Sequence, residues 1–269
     1  RHSRPGRRMT DLRIATWNVN SLRIRIDNLE RLIAARAPDV LCLQETKVED
    51  RLFPAAEITA LGYPHQLIYG QKGYHGVAIC ARAPFANGTQ RNWSGKSDSR
   101  HVHARLLGGI ELHNFYVPAG GDEPDPEVNE KFAHKLGFLA ELTDWFAALP
   151  KRRKMILLGD LNVAPLETDV WSHKQLLKVV SHTPIEVEAL AALAASRGWV
   201  DAVRHFIPKT ERLYSWWSYR ARDWAAANRG RRLDHIWVTP NLVGSLVGAE
   251  VLREARGWPR PSDHVSVLV

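Results

Sequence analysis

Short apolar runs recur along the chain and stop abruptly at polar residues, and that punctuation predicts most of its elements. Leu12–Trp17, Val40–Gln44, Gly76–Cys80 and Met155–Leu158 have the length and composition of strands buried on both faces. His103–Leu107 and Glu111–Val117 are further strand candidates, joined at Gly108-Gly109, a hairpin signal. Asn28–Ala37 reads as a helix with Leu29, Leu32 and Ile33 on one face, ended by Pro38. Val128–Leu149 is the longest helical pattern, closed by Pro150, and Glu186–Arg197 is a third helix that Gly198 can cap. Strands return at His235–Val238, Leu246–Val251 and Val265–Val269, after an irregular segment, residues 204–230, that contains "LYSWWSYRARDW".

Strands and helices are mixed throughout, with hairpins as well as crossovers. The expected fold class is therefore α/β, with two packed mixed sheets flanked by helices. No linker divides the chain, and no repeat or low-complexity tract is visible. One domain over residues 10–269 is expected, with residues 1–9 set aside as a disordered arm or a cloning remnant.

The polar residues that end the strands form a pattern of their own. "KMILLGDLNVAP" runs through Leu158 and then gives Asp160 and Asn162, two residues apart. In an extended chain such residues point to one side. "RIATWNVNS" gives Asn18 and Asn20 after Trp17, "VLCLQETK" gives Gln44, Glu45 and Lys47, and "LHNFYVP" ends on Tyr116. Asp234 begins the strand in "RRLDHIWV", and Asp263 and His264 precede the last one. Any one of these residues is ordinarily a turn residue or a helix cap. Six strands ending this way are less easily explained, because strands of packed sheets share a rim. Carboxylates that converge there repel one another unless a cation joins them. An oxygen-rich set without thiolates suits a hard divalent ion, Mg²⁺, with Mn²⁺ as a substitute.

Composition narrows the picture. The net charge is +8, but Arg1, Arg4, Arg7 and Arg8 carry half of it, so the folded body is only mildly basic. That balance is compatible with a polyanionic partner without requiring one. Small basic clusters lie at Lys151–Lys154, which reads as solvated surface, and at Arg229–Arg232. The two cysteines, Cys42 and Cys80, sit in apolar runs and read as inert core residues, which suits a reducing, cytoplasmic compartment. No apolar run approaches the roughly 20 residues that span a bilayer, and the first residues lack the apolar stretch of a secretory signal. Ten tryptophans need packing partners or a flat ligand. A divalent-ion site with an Asp–His pair and amide donors suits phosphate-ester hydrolysis. The absence of a P-loop and of a serine nucleophile elbow ranks nucleotide-driven work and acyl transfer low.

"WNVNSLR", "PDVLCLQETK", "YVPAGG", "LLGDLNVAP", "SWWSYR", "NRGRRLDHIWVT" and "PSDH" stand in the order seen in exonuclease III-type abasic-site endonucleases. The chain resembles that branch of the endonuclease/exonuclease/phosphatase superfamily from about Leu12 to Val269. The resemblance implies a four-layer α/β sandwich like that of deoxyribonuclease I. It implies Glu45 as the principal Mg²⁺ ligand, with Asn20 and Asp263 near the metal. Asp160, held by Asn18 and Asn162, is then the residue that prepares water. His264 contacts the scissile phosphate with Asp234 as its orienting carboxylate, and Tyr116 serves as a phosphate-contacting or leaving-group phenol. Lys47 and Arg100 fall where relatives hold the metal ligand or the DNA backbone, with surface ion pairing as their alternative role. Trp216 and Trp217 lie where relatives accept a flipped base-less sugar, although adjacent strand residues cannot both face inward.

Two departures from the family pattern stand out. Ala119 occupies a position where relatives often have Asn or Gln, and a methyl group cannot donate to phosphate. Arg231 replaces a Trp or Leu of the pocket wall, where a guanidinium can contact the DNA backbone. The expected function is a Mg²⁺-dependent nuclease on double-stranded DNA, acting at abasic sites and 3′ ends as a monomer and away from membranes. A phosphatase for a small or lipid phosphate and a DNA-binding module without catalysis are the rivals. Duplex cleavage with defined ends separates the nuclease from both.

Overall fold

A computed structural model describes residues 11–269; the arm expected at residues 1–9 lies outside the described residues. Fourteen strands follow in chain order. They are β1 Ile14–Asn18, β2 Val40–Gln44, β3 His65–Tyr69, β4 Val77–Ala81, β5 Ala86–Gln90, β6 His101–Arg105 and β7 Glu111–Tyr116. The rest are β8 Met155–Asp160, β9 Val200–Asp201, β10 Trp216–Trp217, β11 Gly230–Arg231, β12 Asp234–Val238, β13 Glu250–Val251 and β14 Val267–Leu268. One six-stranded sheet has the order β13-β14-β1-β2-β4-β3, and a second has β5-β6-β7-β8-β12-β9. Both are mixed: β1 pairs parallel with β2 and antiparallel with β14, while β8 pairs parallel with β7 and antiparallel with β12.

Alternation along the central strands builds four layers. In β2, Cys42 faces the second sheet among Ile79, Leu112, Leu158 and Ile236, whereas Leu41 and Leu43 face helix Ile26–Arg36 through Leu29 and Leu32. In β8, Leu158 points to the same inter-sheet core, while Met155 and Leu157 meet Phe138, Leu142 and Phe146 of helix Glu130–Ala148 and Leu190 and Leu193 of helix Pro184–Arg197. These side chains are essentially fully buried, each contributing roughly 1.5–3 kcal/mol of transfer free energy. The layered α/β expectation therefore holds, for a concrete reason: both faces of each central strand are apolar. Cys42 and Cys80 are free and buried, and burial pushes the Cys80 thiol up to about 12.

The sheets are stapled by amides just below one rim. Asn114 of β7 donates to the carbonyls of Leu43 (3.0 Å) and Ala78 (2.9 Å) in the facing sheet. Gln44 donates to Asn114 Oδ1 at 2.8 Å and to Thr16 Oγ1 at 2.9 Å. Buried amides so satisfied fix the relative position of the two sheets, because sliding one past the other would strand several donors at once.

The structure corrects part of the strand reading. Of the expected strand Leu246–Val251, only Glu250–Val251 pairs; residues 246–249, between a 3₁₀ helix at Pro240–Ser245 and that short strand, have no regular structure. The helix Ala55–Ala60 and strands β3 and β5 carry too few periodic apolar positions to be read from sequence. No helix among the described residues is long and apolar enough to cross a membrane.

Candidate active site

The stapled rim is where the polar strand ends meet. Register places Tyr116 opposite Asp160 and Asp234 opposite Asp160 in the second sheet, and Asn18 opposite Gln44 in the first. The two "N-x-N" and "D-x-N" endings make the same turn. The Asn20 N–H donates to Asn18 Oδ1 at 3.0 Å, and the Asn162 N–H donates to Asp160 Oδ1 at 3.0 Å. Each turn ends in the left-handed region, with φ of 45° at Asn20 and 53° at Asn162. Glu45 and Lys47 also have positive φ, 51° and 53°. Backbone strain of this kind, on the order of 1–3 kcal/mol per residue, persists only where surrounding contacts over-determine it.

Gly159 shows how tightly β8 is built. Its φ is 133°, and a Cβ there would lie 2.0 Å from the Phe115 carbonyl oxygen of β7. Only glycine allows the backbone just before Asp160 to approach its neighbour so closely.

A chain of hydrogen bonds crosses the seam between the sheets. Asn18 donates to Glu45 Oε2 at 2.5 Å and to Asp160 Oδ2 at 2.9 Å, so one amide ties a carboxylate from each sheet. His264 Nε2 lies 3.5 Å from Asp160 Oδ2, and His264 Nδ1 donates to Asp234 Oδ2 at 2.8 Å. Ser215 donates to the same Asp234 oxygen at 2.7 Å and accepts from the Leu233 and Asp234 N–H groups. Sequence reasoning missed Ser215, whose sole signal is its place beside Trp216.

Electrostatics follow from this packing. Burial opposes charge on His264, but Asp234 and Asp160 outweigh it and hold the imidazole well above its ordinary value. Burial, with Asp234 and Glu45 nearby, raises the Asp160 carboxyl to about 7 against the pull of His264 and Asn18. The Tyr116 phenol is held well above 10 by burial and by Glu45 and Asp160.

Whether a cation fits can be read from the donors. Glu45, Asp160 and His264 bring carboxylate oxygens and a ring nitrogen within 4.8 Å of one another, and with His264 held protonated the two carboxylates are the ligand atoms of this group. Asp160 resists ionisation so strongly that a cation beside it is the natural complement to its charged form. The donor set is dominated by carboxylate oxygen, which fits a hard divalent ion. Lys47 is the neighbouring protein cation, 3.6 Å from Glu45 Oε1, and it donates to Asn20 Oδ1 at 2.7 Å. Asp263 sits beside this group, accepting from Trp216 Nε1 at 3.0 Å and from Asn20 at 3.3 Å.

Several expected residues stand differently. The side-chain amide of Asn162 donates to the Val117 carbonyl at 2.7 Å, so Asn162 holds Asp160 through its backbone N–H. Arg100 is 8% exposed and already engaged: it donates to Asp98 Oδ2 (2.6 Å) and the Tyr116 carbonyl (3.2 Å), and its guanidinium lies over the Tyr116 ring. It thus braces Tyr116, held in place by its ion pair with Asp98. Trp217 is 2% exposed, packs edge-on to Tyr214 and Trp224, and faces the core instead of the rim. Trp216 is the half-buried member of the pair, with Arg231 over its ring at 5.1 Å.

Comparison with known proteins agrees with this geometry. A model of the endonuclease/exonuclease/phosphatase family matches residues 15–264. The chain is 29% identical over 272 residues to exodeoxyribonuclease III of Haemophilus influenzae, covering 95% of this chain and 98% of the relative. It superposes with a TM-score of 0.88 on an AP endonuclease from Archaeoglobus fulgidus, at 32% identity over 96% of this chain and 98% of that one. The same TM-score, 0.88, relates it to a 3′ phosphatase from Neisseria bound to a product DNA hairpin, at 31% identity over 96% and 98% of the two chains. The chain belongs to the endonuclease/exonuclease/phosphatase family, in its exodeoxyribonuclease III-type branch. It is a hydrolase of the nuclease kind with the four-layer sandwich of that branch.

Proposed function

We propose that this protein is a Mg²⁺-dependent DNA repair nuclease acting on double-stranded DNA. It cuts on the 5′ side of abasic sites, removes 3′ blocking groups and digests 3′ ends. The observation that carries this reading is the Asp234–His264–Asp160–Asn18–Glu45 chain across the seam, a constellation suited to one phosphoryl group.

In this reading the His264 imidazolium, held by Asp234, donates from Nε2 to a phosphoryl oxygen. Asp160 orients water and accepts its proton as the water oxygen bonds to phosphorus. The P–O3′ bond breaks, Tyr116, neutral and a donor, hydrogen-bonds the departing oxygen, and that oxygen takes up a proton, equivalent to the one Asp160 received and released by way of solvent, to leave as a hydroxyl. Glu45, with Asn20 and Asp263 beside it, would hold Mg²⁺ or its substitute Mn²⁺, which neutralises charge on the phosphoryl and departing oxygens. Asn18 keeps the two carboxylates in mutual register, and Lys47 steadies Glu45 and Asn20. Trp216 offers a flat wall for a sugar turned out of the duplex. Free buried thiols suit a reducing cytoplasm, where the chromosome lies.

The test is a gel assay of abasic and intact duplexes with Mg²⁺ and with chelator. Incision 5′ to the lesion and recession of 3′ ends, both abolished by chelator, are expected. Release of phosphate from small esters with no duplex cleavage would favour the phosphatase rival.

A further inference from the structure

Helix Glu130–Ala148 buries Phe132, Lys135, Phe138, Leu139, Leu142 and Phe146, so one lysine stands in an otherwise apolar stripe. Lys135 is 0% exposed. Packing alone does not account for an ammonium group there, because burial opposes its charge. Nor does stability, since replacing a buried ion pair by apolar residues of similar volume is often neutral or stabilising. What the ammonium holds is the better explanation.

An ammonium has three protons to donate, and Lys135 Nζ has three partners. They are Glu186 of helix Pro184–Arg197, the Asn162 carbonyl at 2.8 Å and the Ala119 carbonyl at 3.2 Å. The two carbonyls belong to the segments that leave β7 and β8 just past Tyr116 and Asp160. The two chains run side by side as far as the Val117 N–H, which donates to the Asp160 carbonyl at 2.9 Å. Past that bond Lys135 ties one segment to the other. The first segment also lies directly on the lysine stem: Gly120 has φ of 94°, and a Cβ there would be 2.9 Å from Lys135 Cδ.

Asn162 carries the effect to Asp160. Its carbonyl is held by Lys135, its side-chain amide donates to the Val117 carbonyl at 2.7 Å, and its N–H donates to Asp160 Oδ1 at 3.0 Å. With all three groups engaged, the left-handed turn at Asn162 has one conformation, and the carboxylate it holds has one aim. The ammonium is itself anchored, because Glu186 also accepts from the Ser181 N–H at 2.9 Å, the Thr183 N–H at 3.1 Å and the Thr183 hydroxyl.

We infer that Lys135 is a positioning residue, a buried clamp that fixes the segment after Tyr116 against the segment after Asp160 and so sets the aim of Asp160 at the attacking water. Being fully buried, it meets no substrate and acts through Asn162 and Ala119. This rests on the nuclease reading and adds to it a residue outside the rim.

The test is Lys135→Met, which keeps an unbranched stem and removes the ammonium. Incision of an abasic duplex with Mg²⁺ is measured at a temperature where thermal melts show the variant folded. A fall in kcat of about 10- to 100-fold is expected, with KM within about threefold of wild type. Hydrogen–deuterium exchange on the same protein supplies a second reading. Amides of residues 117–121 and 161–164 are expected to exchange at least about 10-fold faster, while those of β1 and β2 keep wild-type protection. A merely structural role would lower the melting temperature and leave kcat of the folded variant unchanged. Lys135→Met leaves Glu186 buried without its cation; should it fail to fold, Lys135→Met/Glu186→Gln removes both charges, keeps an acceptor for Ser181 and Thr183, and is expected to give the same two changes. Wild-type kcat in a folded variant, or a lowered kcat with exchange unchanged in both segments, overturns the inference. Wild-type protein that leaves the abasic duplex uncut sinks the nuclease reading instead, and the exchange comparison still tests the clamp.

Discussion

His264 Nε2 lies 3.5 Å from Asp160 Oδ2, although the two side chains come from opposite sheets. Asn18 closes the same seam from the other side by donating to Asp160 and Glu45. The site therefore exists only while the sheets keep their relative position, which is why the Gln44–Asn114 staple directly beneath it matters.

Asp160→Asn keeps the shape of the side chain and removes its capacity to take a proton. Turnover on abasic duplex should fall by at least about 10³-fold, with DNA binding by gel shift retained. Cleavage at the wild-type rate would show that another group prepares the water.

Gly159→Ala drives a methyl group into the Phe115 carbonyl and demands a positive φ from alanine. A loss on the order of 3 kcal/mol in urea unfolding is expected, with activity falling because Asp160 is next in the chain. Unchanged stability would mean that β7 and β8 separate there at little cost.

Much of this arrangement is legible in the amino-acid sequence. Strands with two apolar faces announce themselves as short runs, and the polar residues ending them, Asn18, Glu45, Tyr116, Asp160, Asp234 and His264, do gather at one rim. What sequence does not disclose is how side chains are spent. Nothing local says that Asp98 and the Tyr116 carbonyl capture Arg100, or that Asn162 turns its amide to Val117. Alternation indicates that only one of Trp216 and Trp217 faces the rim, but the choice is made by Tyr214, Trp224 and Asn228, whose positions depend on how the surrounding loop folds.

A stack of histidines in β6 and β7 sets a pH limit on the fold. His101 and His113 are buried, hydrogen-bonded at 3.1 Å, and stacked with His103. Burial lowers all three from the ordinary 6.5, His103 to about 4. At these positions the unfolded chain therefore binds more protons than the folded one below pH 6.5. The stability these histidines contribute is complete above that value and declines as pH falls toward 4, by up to about 1.4 kcal/mol per pH unit for each buried histidine. His113→Gln should flatten this slope in thermal melts between pH 4 and 6.5; an unaltered slope would assign the acid sensitivity to other groups.

Trp216→Ala removes the wall beside His264 without touching the hydrogen-bond chain through Asp160. Abasic-site incision should lose more, about 10-fold or greater, than digestion of an undamaged 3′ end. Equal losses on both substrates would refute a pocket role for the indole.

The central claim is that carboxylates from two sheets meet to share a divalent cation. Its most direct test is a Mn²⁺ titration followed by electron paramagnetic resonance, in wild type and Glu45→Ala. The account predicts saturable binding in the wild type, weakened at least about 10-fold in the variant, with a matching rise in the metal needed for cleavage. Superimposable titrations of the two proteins would contradict it.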